Sequence, residues 1–159
     1  MKIRKYKEAD CKEIMKLFRN TVHAINAKDY NQKQLDAWAP IELNSMAWHQ
    51  SLVEHYTIIV EHKEIIVGFG DLDAIGYLDR LYVHKEYQNQ GIASTILSEF
   101  EKYSLHHNLH ELTTHASITA KPFFIKKGFT LMAEQQVQRK EETLTNFVMR
   151  KTLVELSSI

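Results

Sequence analysis

The sequence predicts an α/β fold: a mixed, mostly antiparallel sheet of about seven strands flanked by helices. Three observations lead to it. Between residues 56 and 84 the β-branched and aromatic runs YTIIVEH, EIIVGFG and YLDRLYVH follow one another across charged or glycine-containing turns, the pattern of an antiparallel meander. Further along, helical and strand-like spacing alternate, so helices and strands are interleaved. Finally, 159 residues with 44% hydrophobic content suffice for one sizeable core but not for two ordinary domains, so residues 1–159 read as a single domain.

The elements follow in order. KIRKY at residues 2–6 alternates as a short strand, and Ile14, Leu17, Phe18, Val22 and Ile25 then recur at the spacing of an amphipathic helix. Asn31 is a candidate cap for a short helix carrying Leu35 and Trp38 before Pro40, and a second amphipathic segment holds Met46, Trp48 and Leu52. After the meander, Ile92, Ile96, Leu97, Phe100 and Tyr103 mark a helix, and Glu111 to Ala116 reads as a strand, which together make a strand, helix, strand crossover. Residues 118–127 form a helix candidate ended by Gly128. Two strands, about 129–138 and 143–152, close the chain.

Charge and composition narrow the function classes. Twenty Lys plus Arg balance twenty Asp plus Glu, leaving no net field to recruit nucleic acid or an anionic membrane. The single Cys11 has no internal disulfide partner, MKIRKYKEAD lacks the apolar core of a signal peptide, and no apolar run is long enough to span a membrane. The expectation is a cytoplasmic protein without nucleic-acid or membrane partners. Among nine histidines, His106 and His110 have the i, i+4 spacing of metal ligands. No third ligand accompanies them, and both sit near a helix end, so no metal is expected.

The segment Tyr77 to Leu97 carries the chemistry. Gln88-Asn89-Gln90-Gly91-Ile92-Ala93 follows a strand and opens a helix, where unpaired amides and the helix dipole point at an anion. Small residues at Gly91 and Ala93 allow close approach to the backbone, Ser94 adds a hydroxyl donor, and Gln88 can brace the loop. A P-loop would need Gly-Lys-Ser/Thr, and a dinucleotide site three glycines and a later acid. The segment matches neither.

In its context, LDRLYVHKEYQNQGIAS resembles the acetyl-CoA-binding motif of the GNAT superfamily of N-acyltransferases, with the signature Gln/Arg-x-x-Gly-x-Gly/Ala, and ASITAKPFFIKKGF is similar to that superfamily's second segment, which ends in Gly-Phe, here Gly128-Phe129. The order of elements matches across nearly the whole chain. The resemblance implies a GNAT-like fold in which the strand carrying Leu81 to Val83 is splayed from the strand ending near Ala116, with the pantetheine arm of acetyl-CoA filling the gap. It further implies that backbone groups of Leu81, Tyr82 and Val83 contact the acetyl-pantetheine, the Leu81 N–H polarising the thioester carbonyl. Amides from Asn89 to Ala93 would hold the pyrophosphate, with Gln88 and Ser94 beside them, while Ser117, Phe123, Phe124 and Lys127 would flank the arm and nucleotide.

A transferable amine must lose a proton before it attacks, so a base is required. Alternation places Tyr77, Asp79, Leu81 and Val83 on one side of their strand, which makes Asp79 the first candidate. His115, where related sequences often carry glutamate, is the second, with Asp71 and Asp73 behind them. Three departures from the family pattern stand out: Phe124 replaces a tyrosine that protonates the leaving thiolate, Asn89 a glycine, and Ser117 an asparagine. On the acceptor side, His23, Asn26, Tyr30 and Trp38 lie on the segments that cover the acceptor site in the family, with Trp48 near them. The expected activity is transfer of acetyl from acetyl-CoA to the primary amine of a small polar metabolite of amino-acid, polyamine or amino-sugar type, by direct attack in a ternary complex. The alternatives are a protein or peptide acceptor and a non-catalytic CoA-binding module, and the expected assembly is a monomer or homodimer.

Overall fold

In the computed structural model, which describes residues 1–154, the elements are β1 (Lys2–Lys5), α1 (Cys11–Ile25), α2 (Gln32–Trp38), α3 (Ser45–Glu54), β2 (Tyr56–His62), β3 (Ile65–Leu72), β4 (Tyr77–Val83), α4 (Ile92–His106), β5 (Glu111–Ser117), α5 (Lys121–Lys126), β6 (Thr130–Arg139) and β7 (Glu142–Thr152). They build one seven-stranded sheet in the order β1-β2-β3-β4-β5-β7-β6. Strands β1 to β4 form the expected antiparallel meander, β4-α4-β5 is a parallel crossover, and β7 lies between β5 and β6.

Apolar residues cover both faces of this sheet. Ile58 and Val60 of β2 point towards α4 with Val67, Leu72 and Leu78, where they meet Ile92, Ile96, Leu97 and Phe100. Ile59, Ile66 and Phe69 point the other way, onto Ile14, Leu17, Phe18 and Val22 of α1, with Leu35 of α2 and Leu52 of α3. Burial on both faces is why β2 reads as a continuous apolar run rather than an alternating one. Gly70 sets how close α4 comes: a Cβ there would lie 3.0 Å from the Arg80 carbonyl oxygen and from side-chain atoms of Ile96 and Phe100. Asn31 caps α2 as expected, accepting from the Gln34 N–H at 2.9 Å.

Several local expectations need correction. Met46 is 82% exposed, so only Leu52 and the half-buried Trp48 form the inner side of α3. Helix α5 begins at Lys121 rather than residue 118, because Ser117 to Ala120 make a turn in which the Ser117 hydroxyl accepts the Ala120 N–H at 3.0 Å. More consequential is a β-bulge in β4: Asp71 pairs with Arg80 and Leu72 with Leu78, leaving Asp79 as an extra residue. An extra residue breaks the period of two. Leu81 and Val83 therefore face α4 along with Leu78, while Asp79 and Arg80, adjacent in sequence, line the same cavity on the opposite side. Asp79 does not share a face with Leu81 and Val83.

Candidate active site

The ladder between β4 and β5 is short. Only Tyr77 with Thr113 and Leu78 with Thr114 are paired, and the Thr114 hydroxyl donates to the Leu78 carbonyl at 2.9 Å at the point of divergence. Beyond it, the main chain of Leu81 to Val83 has no partner strand on the β5 side. This is a strand-wide opening in the middle of a sheet, edged by backbone donors and acceptors that an extended ligand can pair.

At the end of that opening stands the N-terminus of α4. Gln88 donates to the Val83 carbonyl at 2.8 Å and ties the loop to β4. Asn89 and Gly91 both take left-handed backbone angles, φ 61° and 78°, which turn the chain into the helix. Buried Ile92 anchors the first turn, and Ala93 and Ser94 follow on its half-buried side. A Cβ at Gly91 would meet no atom within 4 Å. The glycine is thus required by its backbone angle, and the space before the free amides of the helix is open. Gln90 is exposed on the same loop.

On the flank, Phe124 of α5 is buried against Phe123 and Phe129, at ring distances of 5.2 and 5.0 Å. Lys127 sets its ammonium 5.9 Å from the Phe123 ring. The Ser117 hydroxyl holds the turn before α5 and lies 3.5 Å from the amide nitrogen of Asn26.

On the face covered by α1, α2 and α3, a cavity of about 310 Å³ opens where β4 and β5 part. Its aromatic wall comprises Phe18, Tyr30, Trp38, Trp48, Tyr77 and Tyr82, and its polar groups include Asp79, Arg80, His115, Ser117, Arg139, Thr145 and Asn146. The Tyr30 hydroxyl donates to the Thr145 carbonyl at 2.7 Å and accepts the Ile118 N–H at 2.9 Å, strapping the segment before α2 to both β7 and the end of β5. Trp38 stacks edge-on against Tyr30 at 5.4 Å, and Phe18 contacts Trp48 and Tyr82, both at 4.9 Å. Of the acceptor-side residues singled out in the sequence, Tyr30 and Trp38 line the cavity. His23 and Asn26 do not: His23 Nε2 donates to the Ala39 carbonyl at 2.7 Å, and buried Asn26 reaches Ser117.

Asp79 of β4 and His115 of β5 both line the cavity, with the His115 ring 5.2 Å from that of Tyr77. Burial, reinforced by the negative Asp71 nearby, holds the Asp79 carboxyl above its usual range, against the pull of Arg80 and His55. Burial also pushes the Tyr77 phenol up to about 12. Behind them lies an ion cluster: fully buried Asp71 accepts from Arg80 at 2.5 Å and from His55 Nδ1 at 2.7 Å, and Arg80 reaches Asp79 at 3.7 Å while its guanidinium lies 4.5 Å above the Trp48 ring. The hydrogen bond to Asp71 raises the His55 pKa. Ligand atoms of His55, Asp71 and Asp79 lie within 4.8 Å of one another, as a metal site would require. Arg80 already supplies the cation at that point, and a divalent ion would face its fixed charge at close range. Asp73 is engaged elsewhere, accepting from the N–H groups of Ile75 and Tyr77 in the β3-β4 turn. His106 and His110 are exposed.

Arg80, Arg139, Thr145 and Asn146 escaped the sequence reading. Arg80 left one trace, a charge in mid-strand beside Asp79. The three residues from β6 and β7 left none, because only the placement of β7 against β5 brings that hairpin to the cavity.

A splayed pair of parallel strands, a helix N-terminus at its end and an acid-bearing pocket beside it suit an extended ligand with an anionic end. The comparison that decides the matter is a match of residues 26–153 to the model of the acetyltransferase (GNAT) domain. The chain belongs to the GNAT family of N-acetyltransferases. It is 33% identical over 151 residues to the Escherichia coli K12 protein called uncharacterized N-acetyltransferase YafP, covering 94% of this chain and 95% of that one. Among solved structures, a GCN5-related N-acetyltransferase from Rhodopseudomonas palustris superposes with a TM-score of 0.92 at 28% identity, covering 96% of this chain and 95% of the other. The PaiA N-acetyltransferase of Thermoplasma acidophilum, solved in complex with coenzyme A, shares the fold with a TM-score of 0.78 at 20% identity, over 95% of this chain and 98% of its own. As a GNAT acyltransferase, the chain has its fold and enzyme class as the resemblance implied, and no helix among the described residues is long and apolar enough to cross a membrane.

Proposed function

We propose that this GNAT enzyme moves the acetyl group of acetyl-CoA to the primary amine of a small polar metabolite, by direct attack within a ternary complex. The observation that carries the reading is the cavity of about 310 Å³ below the β4-β5 opening, at the low end of roughly 300–1,000 Å³ for small-molecule sites. Helices α1 to α3 on one side and the β6-β7 hairpin on the other supply its walls, which favours a compact acceptor over a polypeptide.

In this reading, amides from Asn89 to Ala93 hold the pyrophosphate, with Gln88 bracing the loop and Ser94 adding a hydroxyl, while Leu81, Tyr82 and Val83 pair with the pantetheine arm through the main chain. Ser117, Phe123, Phe124 and Lys127 flank that arm. The Leu81 N–H polarises the thioester carbonyl. Asp79 takes a proton from the ammonium of the acceptor, and its raised pKa brings it nearer to a working base at neutral pH. The freed nitrogen lone pair attacks the carbonyl carbon, the nitrogen gives its second proton to water, the C–S bond breaks, and the pair leaves on sulfur as the CoA thiolate. Water protonates that thiolate, since Phe124 carries no hydroxyl. His115, on the other lip, relays the proton outward. Tyr30 and Trp38 shape the acceptor pocket, with His23 and Asn26 bracing the segments that carry them.

The test is thiol release from acetyl-CoA against a panel of amines. Turnover on at least one small amine, falling about 100-fold or more in Asp79→Asn with bound CoA retained, is expected. CoA binding without release above hydrolysis on every amine would sink the reading. Full turnover in Asp79→Asn would refute the choice of base alone.

A further inference from the structure

Resting on the proposed transfer to a small amine, we propose that the acceptor is an amino carboxylate with an apolar side chain, its carboxylate held by Arg139 at the mouth of the cavity. Charge balance around the pocket leads there. Asp71 and Asp79 are matched by Arg80 and by His55 when protonated, through contacts of 2.5, 3.7 and 2.7 Å. Arg139 is the remaining arginine of the lining, and among the described residues no carboxylate lies within salt-bridge distance of it, Glu142 opposite it in register included. Its one hydrogen bond is from Nη1 to the Gln138 carbonyl at 3.0 Å, which leaves most of a guanidinium's five donors free.

The attacking form of the substrate sharpens this. An amine can attack only when neutral, so a simple amine brings no charge to balance Arg139, and a polyamine brings a second cation against two guanidiniums. A deprotonated amino acid brings one negative charge in a planar, bidentate form that a guanidinium recognises. The amine end also has a partner, the Asp79 carboxylate in the same lining. In the same lining, Phe18, Trp38, Trp48, Val137 and Leu144 offer an apolar surface to the acceptor side chain.

The experiment compares L-phenylalanine, L-phenylalaninamide and putrescine as acceptors by thiol release, and measures L-phenylalanine binding to the CoA-loaded protein by calorimetry, in wild type, Arg139→Gln and Arg139→Lys. Arg139 is exposed at the end of β6, so its replacement leaves the fold intact. The expected result is a kcat/KM preference for the acid over the amide of about 10-fold, which collapses towards one in Arg139→Gln and returns in part in Arg139→Lys. Putrescine should be the poorest acceptor. Equal use of acid and amide by the wild type, or an acid preference unchanged in Arg139→Gln, overturns the carboxylate subsite while leaving the transferase reading intact. Amino-acid binding that depends on Arg139 without any turnover has the opposite meaning: the subsite stands and the catalytic reading falls. If neither binding nor turnover is found with any of the three, both fall.

Discussion

Replacing Asp71 with asparagine tests the ion cluster behind the candidate active site. The carboxylate is fully buried, and its Oδ2 accepts from both Arg80 at 2.5 Å and His55 at 2.7 Å. Asparagine keeps the size of the side chain and removes its charge, leaving Arg80, 17% exposed, with Asp79 at 3.7 Å as its nearest carboxylate. Breaking a buried pair from one side costs about 3–5 kcal/mol, and the surviving contact to Asp79 sets the expectation at the lower end, about 3 kcal/mol. For a chain of this length that is about 9 °C in Tm, measured by calorimetry. The loss should depend on pH. The His55 pKa is raised by Asp71, so the protonated pair contributes fully below about 6.5 and is lost as pH rises through the raised value. The gap between wild type and variant should therefore be widest in mild acid and narrow towards alkaline pH. Catalysis gives a second readout: the negative charge of Asp71 helps hold the Asp79 pKa up, so without it the acid limb of the pH–rate profile should move to lower pH. A stability loss below about 1 kcal/mol with an unmoved acid limb would show that the cluster neither supports the bulge nor tunes the base.

Three further outcomes follow from local geometry. Gly91→Ala forces a side chain into a backbone with φ of 78°, at a cost of about 1–2 kcal/mol, and should raise the KM for acetyl-CoA more than it lowers kcat. Gly70→Ala drives a methyl to 3.0 Å from a carbonyl oxygen and two core side chains. A destabilisation of about 1–3 kcal/mol in urea unfolding is expected, and an unchanged midpoint would mean that α4 can shift freely. Phe124→Tyr should keep or raise turnover if the ring edge faces the pantetheine gap, whereas a large drop in Tm would place that edge inside the apolar cluster with Phe129, where a hydroxyl finds no partner.

Much of the fold was legible because local chemistry and tertiary demand agree. The β-branched meander, the Asn31 cap and the periodic Ile92, Ile96, Leu97 and Phe100 each state their secondary structure within a few residues. The loop Gln88 to Ala93 was legible for the same reason, since glycine at a left-handed position before a helix is a local requirement. Met46 misled because it stands only two residues, about 200° of helix, before Trp48, so it faces away from the side that Trp48 and Leu52 bury.

Sequence alone determined the order of elements, the left-handed turn that opens α4 and the presence of Asp79 and His115 on the strands before and after that helix. What it left open was every relation between distant strands. A bulge opposite Asp71 reversed the side on which Asp79 stands, because one extra residue shifts a period of two, and nothing in YLDRLYV encodes it locally. Likewise, Arg139 and Asn146 reach the cavity only because β7 is inserted beside β5 and carries β6 with it. Strand pairing joins residues far apart in the chain through main-chain bonds that any sequence can make. The turn before α4 was therefore local chemistry, and the pocket was a product of register.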